Sequence, residues 1–299
     1  MKRILKWLGI AVLALIVVVV LVGGYLYTNT GRRLSRTYDV PGETVAVGNG
    51  TAVLERGEHL VTVLCTGCHG TDLAGTPFFQ DESLGSVPSA NLTSGAGGVA
   101  SQYDDAGWVR AIRHGVGYDD QALFIMPARD FYHLSDADLG AVIAYLKTLP
   151  PVDSNLGEKE LTPLARVLIS AGAFGDVINA ETIDHTGPRP SYPTEEASAV
   201  YGDYLSKLVG CTTCHGENMA GGKDPDPAAP PAPNITPGGD VQNWSEADFF
   251  TAMQTGVTPS GHELSDFMPW QSLAQMNDTE LQAIWLYLQS LPALPDNPQ

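Results

Sequence analysis

The first pattern along the chain is an apolar run from Trp7 to Tyr27, made mostly of Leu, Val, Ile, Ala and Gly and free of charge. A helix rising about 1.5 Å per residue crosses the ~30 Å hydrocarbon core of a bilayer over a run of this length. Lys2, Arg3 and Lys6 precede it, and Arg32, Arg33 and Arg36 follow it. The apolar core of a cleaved signal peptide is shorter, roughly 7–15 residues, and ends at a small-residue cleavage site. Val22-Gly23-Gly24 is a poor substitute for such a site, and no cysteine lies near the run to take a lipid. The pattern predicts a retained single-pass anchor, with Tyr25 and Tyr27 at the outer interface where amphipathic aromatics settle.

Beyond the anchor the apolar residues take up helical spacing. Leu139, Val142, Ile143 and Leu146 share a face behind Ser135-x-x-Asp138, a capping-box start. Leu281, Ile284, Trp285 and Leu288 repeat the spacing behind Asn277, and Pro150 and Pro292 stop the two helices. Middle helices are predicted from Asp105 to His114 and from Ser245 to Thr255, and first helices from about Glu55 into Cys65 and about Ala197 into Cys211. The stretches between them, such as Pro225 to Gly239, are Gly/Pro-rich and carry no strand pattern, so the predicted fold class is all-α.

These helices belong to a duplication. Cys65-Thr66-Gly67-Cys68-His69-Gly70 recurs as Cys211-Thr212-Thr213-Cys214-His215-Gly216, and Asn91-Leu92-Thr93 as Asn234-Ile235-Thr236. Met126-Pro127 recurs as Met268-Pro269, and the run ending in Pro150 as the run ending in Pro292. The offset drifts only from 146 at the cysteines to 142 at the end. The chain of 299 residues divides on this basis into an anchor with its flanks (1–36), a first domain (51–150), a connector (151–196) and a second domain (197–299). Within the connector, Leu161 to Gly172 is amphipathic enough for a short helix across the domain junction, and Pro188 to Pro193 reads as extended.

Charge adds a constraint on partners. The formal net charge is −18, yet the first fifty residues hold six bases against two acids. Residues 201–299 hold Lys207 and Lys223 against twelve acids. So acidic a surface repels nucleic acid; it either steers a basic docking partner or only keeps the protein soluble.

All four cysteines fall in the two C-x-x-C-H units, Cys65, Cys68 and His69, then Cys211, Cys214 and His215. The pattern is a haem-attachment signal because each part has a task. Two thiols spaced by one helical turn reach both haem vinyl groups to form thioethers, and the adjacent His points at the iron. A thioredoxin-like pair wants a βαβ context that is absent here. A shared zinc site would have to join cysteine pairs with 142 residues between them, each inside its own repeat. For the sixth ligand, Met126 lies 57 residues after His69 and Met268 lies 53 after His215. Both precede Pro and the last helix, so ligation explains them better than core filling, and a thioether raises the potential relative to a second imidazole. Rivals are His114 and His133 in the first copy and His262, Met253 and Met276 in the second. Asn91/Thr93 and Asn234/Thr236 could bind haem propionates or brace the Met loop. Arg110 and Arg113 align with Thr251 and Gln254; if they meet the first haem's propionates, the first haem has the higher potential.

On these residues, 51–150 and 197–299 resemble the class I cytochrome c family: helical, C-x-x-C-H near the first helix, Met in a late loop, and a final aromatic-bearing helix. The paired arrangement is similar to the cytochrome subunits that serve membrane-bound alcohol, aldehyde or nicotinate dehydrogenases, although those usually carry three haems. The resemblance implies two covalently bound haem c groups and a dihaem electron-transfer protein without bond-making of its own. It would pass electrons between a membrane-associated or periplasmic donor and an oxidase or other acceptor. Expected partners are redox proteins with a basic docking face, among them a dehydrogenase or respiratory complex, and membrane lipid along the N-terminal helix. Covalent haem is attached outside the cytoplasm, which places residue 1 inside and both domains on the periplasmic side of the cytoplasmic membrane. The alternative is a dihaem peroxidase, for which Glu263 beside His262 is the nearest acid–base candidate.

Overall fold

The computed structural model describes residues 2–189, 193–223 and 228–298. Helix α1 (Lys2–Leu34) contains the whole apolar run and continues beyond it. The first repeat follows with α2 (Thr51–Leu64), α3 (Thr66–His69), α4 (Asp105–His114), α5 (Ala128–Phe131) and α6 (Asp136–Leu146). The segment 151–196 contributes α7 (Pro163–Ser170), whose start is set by Thr162 capping Ala165 N–H and by Pro163 in the first turn. The second repeat has α8 (Ala199–Leu208), α9 (Cys211–His215), α10 (Glu246–Thr255), α11 (Trp270–Leu273) and α12 (Asp278–Ser290).

Three local features depart from the sequence reading. In the first copy α2 runs to its C-cap at Cys65 as expected, but in the second the helix stops short of Cys211: Gly210, at φ 71°, breaks α8 from α9. Short strands also exist. β1 (Phe79–Asp81), β2 (Gly85–Val87) and β3 (Glu160–Leu161) form one antiparallel sheet, and β4 (Ala220–Gly222) pairs with β5 (Ala232–Asn234). With two or three residues each, they are too short to show alternation. Third, Ser135 accepts Asp138 N–H, but the Asp138 carboxylate does not return to close a capping box, as Glu280 does at Asn277. Part of the stretch read as extended, residues 190–192, lies outside the described residues, as does 224–227 within the Gly/Pro-rich stretch.

The core of each repeat is a crossing of its first and last helices, α2 with α6 and α8 with α12. A Cβ on Gly57 would lie 2.1 Å from the Ala141 carbonyl oxygen, and one on Gly202 would lie 1.9 Å from that of Ala283. Only glycine permits backbones this close, and Tyr145 and Tyr287 pack beside the two contacts.

The Asp138 carboxylate is engaged between the repeats instead. Arg56 on α2 reaches Asp138 at 2.9 Å and, across the junction, Glu280 at 3.0 Å. His59 meets Glu280 at 2.7 Å, and in the mirror position Tyr204 O–H donates to Asp138 at 2.6 Å. Each last helix thus offers its third residue to a donor from the other repeat. Both carboxylates are almost wholly buried, and such charges persist only when paired. Burial pushes the Glu280 carboxyl up, but His59, the Asn277 amide and Arg56 outweigh it and hold the group below the ordinary range.

The solvent end of α1 is docked on α7. Thr30 is fully buried and donates to the Arg166 carbonyl at 2.6 Å, Arg166 lies over the Tyr27 ring, and Arg33 forks onto Glu181.

Candidate haem-attachment sites

Each C-x-x-C-H unit is one helical turn. Cys65 N–H closes α2 onto Val61, and His69 N–H bonds to the Cys65 carbonyl at 2.9 Å, which puts the two thiols and the ring on a single short helix. Burial pushes the Cys65 and Cys211 thiols up to about 12. Among the described residues no three His, Cys, Asp or Glu side chains gather as a metal-ion cluster.

The histidines carry the most informative geometry. His69 Nδ1 lies 2.8 Å from the Ala90 carbonyl oxygen, and His215 Nδ1 lies 2.8 Å from that of Pro233. A carbonyl only accepts, so the proton sits on Nδ1 and the Nε2 lone pair is left to bind a metal. Burial holds both rings below the ordinary imidazole range, keeping them neutral as a ligand must be. The donor set fits haem iron.

The carbonyl-bearing loop is itself tied down, by the residues that recur after it. Asn91 donates through Nδ2 to the Val152 carbonyl at 2.8 Å while its Oδ1 accepts from Thr93 N–H and O–H. Asn234 repeats this with the Leu294 carbonyl at 2.8 Å and with Thr236. These pairs pin the histidine-supporting loop to the chain leaving the last helix. They are neither propionate ligands nor a brace for the Met loop, since their polar groups are committed to that clasp.

Met126 and Met268 are half-buried against the core. Each opens the same turn: Ala128 N–H bonds to the Met126 carbonyl at 2.8 Å and Trp270 N–H to the Met268 carbonyl at 2.7 Å. Pro127 (φ −79°, ψ 53°) and Pro269 (φ −77°, ψ 52°) have matching backbones. Of the rival ligands, His114 is committed to Glu43 and His185, Met253 and Met276 are buried in the core, and His262 is exposed. Arg113 is fully buried between Glu43, Asp136 and the Leu134 carbonyl, and Arg110 pairs with Asp120 at 3.0 Å. The expectation of uncompensated positive charge at the first haem from these arginines therefore falls.

The short helix after each Met touches the attachment helix of the other repeat. Arg129 and Asp130 on α5 contact Thr213 between the second pair of cysteines, at 3.2 and 3.3 Å. Ser272 on α11 lies against Gly67 between the first pair. Sequence reasoning missed this exchange; no periodicity within a repeat signals which partner it meets.

The chain is 27% identical over 274 residues to the fructose dehydrogenase cytochrome subunit of Gluconobacter japonicus, covering 82% of this chain and 54% of the relative. It is 26% identical over 289 residues to the alcohol dehydrogenase (quinone) cytochrome c subunit of Gluconacetobacter polyoxogenes, covering 89% and 59%. It is 26% identical over 201 residues to a diheme cytochrome c-type protein of Cereibacter sphaeroides, covering 62% and 64%. The chain thus spans little more than half the length of these two dehydrogenase subunits. The peroxidase reading finds no support among these relatives, and Glu263 is exposed, bridged to Val257. The family model for cytochrome c matches twice, over residues 54–150 and 195–292, and with these two matches the chain belongs to the cytochrome c family, whose domains bind haem c covalently.

Proposed function

We propose that this cytochrome is a membrane-tethered dihaem electron carrier. Cys65, Cys68, Cys211 and Cys214 form the thioethers, His69 and His215 are the proximal ligands, and Met126 and Met268 are the distal ones. The observation that carries the reading is the duplicated Nδ1–carbonyl bond, which aims one free imidazole nitrogen from each C-x-x-C-H helix. Haem supplies a one-electron iron couple, and the chain holds its ligands so that little moves between oxidation states. The Asn–Thr clasps fix the proximal side, and the Met-Pro turns fix the distal side. The natural division is an anchor, two domains at 51–150 and 197–299, and a connector between them.

The anchor keeps both domains on the outer face of the cytoplasmic membrane, where haem attachment takes place. A membrane dehydrogenase is the proposed donor, in keeping with the relatives that are dehydrogenase subunits. The acidic surface suits an acceptor with a basic face. EPR and near-infrared spectra of the oxidised, haem-loaded chain test the ligand set. Two low-spin haems with sulfur-to-iron transitions are expected; a high-spin haem in intact protein would replace the carrier reading with an open-iron enzyme.

A further inference from the structure

The exchange of short helices between repeats is unequal in charge. Asp130 lies on α5 of the first repeat, yet its carboxylate accepts from Thr213 O–H at 3.3 Å, inside the second C-x-x-C-H unit. A Cβ on Gly210, one residue before Cys211, would lie 2.9 Å from Asp130 Oδ2. The matching residue on α11 is Ser272, a neutral hydroxyl beside Gly67. Just after the motifs the two repeats are balanced, with Asp72 in the first and Glu217 in the second, so the difference in charge rests on Asp130 against Ser272. Arg129 reaches the same Thr213 hydroxyl at 3.2 Å and opposes the charge of Asp130 in part, while its guanidinium also faces Asp176 at 3.8 Å. Burial pushes the Asp130 carboxyl up to about 6 against the pull of Arg129 and the Thr213 hydroxyl, so it is still mostly ionised above neutral pH.

Resting on the two-haem reading, we propose that Asp130 of the first repeat sets the potential of the second haem, lowering it below that of the first. A fixed negative charge beside a haem favours ferric over ferrous iron, and a partly buried site screens it poorly. Ser272 gives the first haem no such charge. Electrons entering the pair therefore rest on the first haem, and internal transfer runs from the second domain to the first.

The test is a spectroelectrochemical titration of the haem-loaded full chain at pH 7.5, with Asp130→Asn and Asp130→Ser as variants. Asn keeps the shape and the Thr213 contact while removing the charge, and Ser copies the other repeat. Both are expected to raise the lower midpoint, narrow the gap and leave the upper midpoint in place. Ser272→Asp is expected to lower the upper midpoint instead. Two haems per chain with the lower midpoint unmoved in Asp130→Asn would overturn the proposal alone. Fewer than two haems in the unaltered chain would overturn the two-haem reading and the proposal with it.

Discussion

The same helix sits in the middle of both repeats, and its surroundings differ. On α4, Arg113 and His114 are buried because the strap before α2 brings Glu43 over them and the segment before α8 brings His185 and Arg189. On α10 the aligned Gln254 and Thr255 are exposed, since neither segment reaches that far. Ala252 and Met253, on the opposite side of α10, are as buried as Ala111 and Ile112. Duplication preserved the face that meets the core and freed the other to become either an ion cluster or a wet surface. The haem-supporting contacts are preserved in the same way: two histidine–carbonyl bonds, two Asn–Thr clasps and two Met-Pro turns.

The largest expected effect breaks the equivalence of the repeats outright. Replacing Cys211 and Cys214 with Ala should lower the haem measured per chain to about half, because each attachment unit is self-contained in one turn. An unchanged haem content would sink the assignment.

Arg56 tests the junction between them. Arg56→Met leaves Asp138 and Glu280 buried without their shared cation, and unfolding in denaturant should show a loss of about 3–5 kcal/mol.

Gly57→Ala and Gly202→Ala should each cost about 1–3 kcal/mol or more, since the added methyl meets a backbone carbonyl that cannot rotate away. Similar losses of thermal stability are expected at both positions; a large inequality would show that the two crossings are not alike.

The difference around α4 and α10 is tested by exchange. Arg113→Gln should cost about 1–3 kcal/mol by leaving buried acceptors unpaired. Gln254→Arg, on a wet surface, should stay within about 0.5 kcal/mol.

The smallest effect is in pH dependence. The Glu280 carboxyl is held below its ordinary value of 4.5, so the folded state binds its proton less readily than the unfolded chain. Its contribution is complete above about 4.5 and is lost as pH falls through the lower folded value. Glu280→Gln should be less stable at neutral pH and show a shallower decline under acid, read from denaturation midpoints across pH 3–7.

Much of the site was legible beforehand because its chemistry is local. The two attachment units, the Met-Pro pairs and the helices around them all rest on residues within one turn or on apolar spacing. The helix-crossing glycines stood in the sequence at matching positions, but a glycine inside a helix reads as weakness until the crossing partner is known. The recurrence of Asn91/Thr93 was visible, while its role was misread, since the Val152 carbonyl lies far along the chain. Arg110 and Arg113 were misread for the same reason: their carboxylate partners come from other segments.

The sequence by itself determined the duplication, the apolar span, the helical class and the residue types able to hold haem, because each is written in short-range spacing. Only the tertiary structure decided which imidazole nitrogen is free, that Asp138 faces Arg56 and Tyr204, and which repeat's carboxylate stands beside Thr213. Those outcomes depend on distances between segments tens of residues apart, and burial and hydrogen-bond geometry set such distances where periodicity cannot.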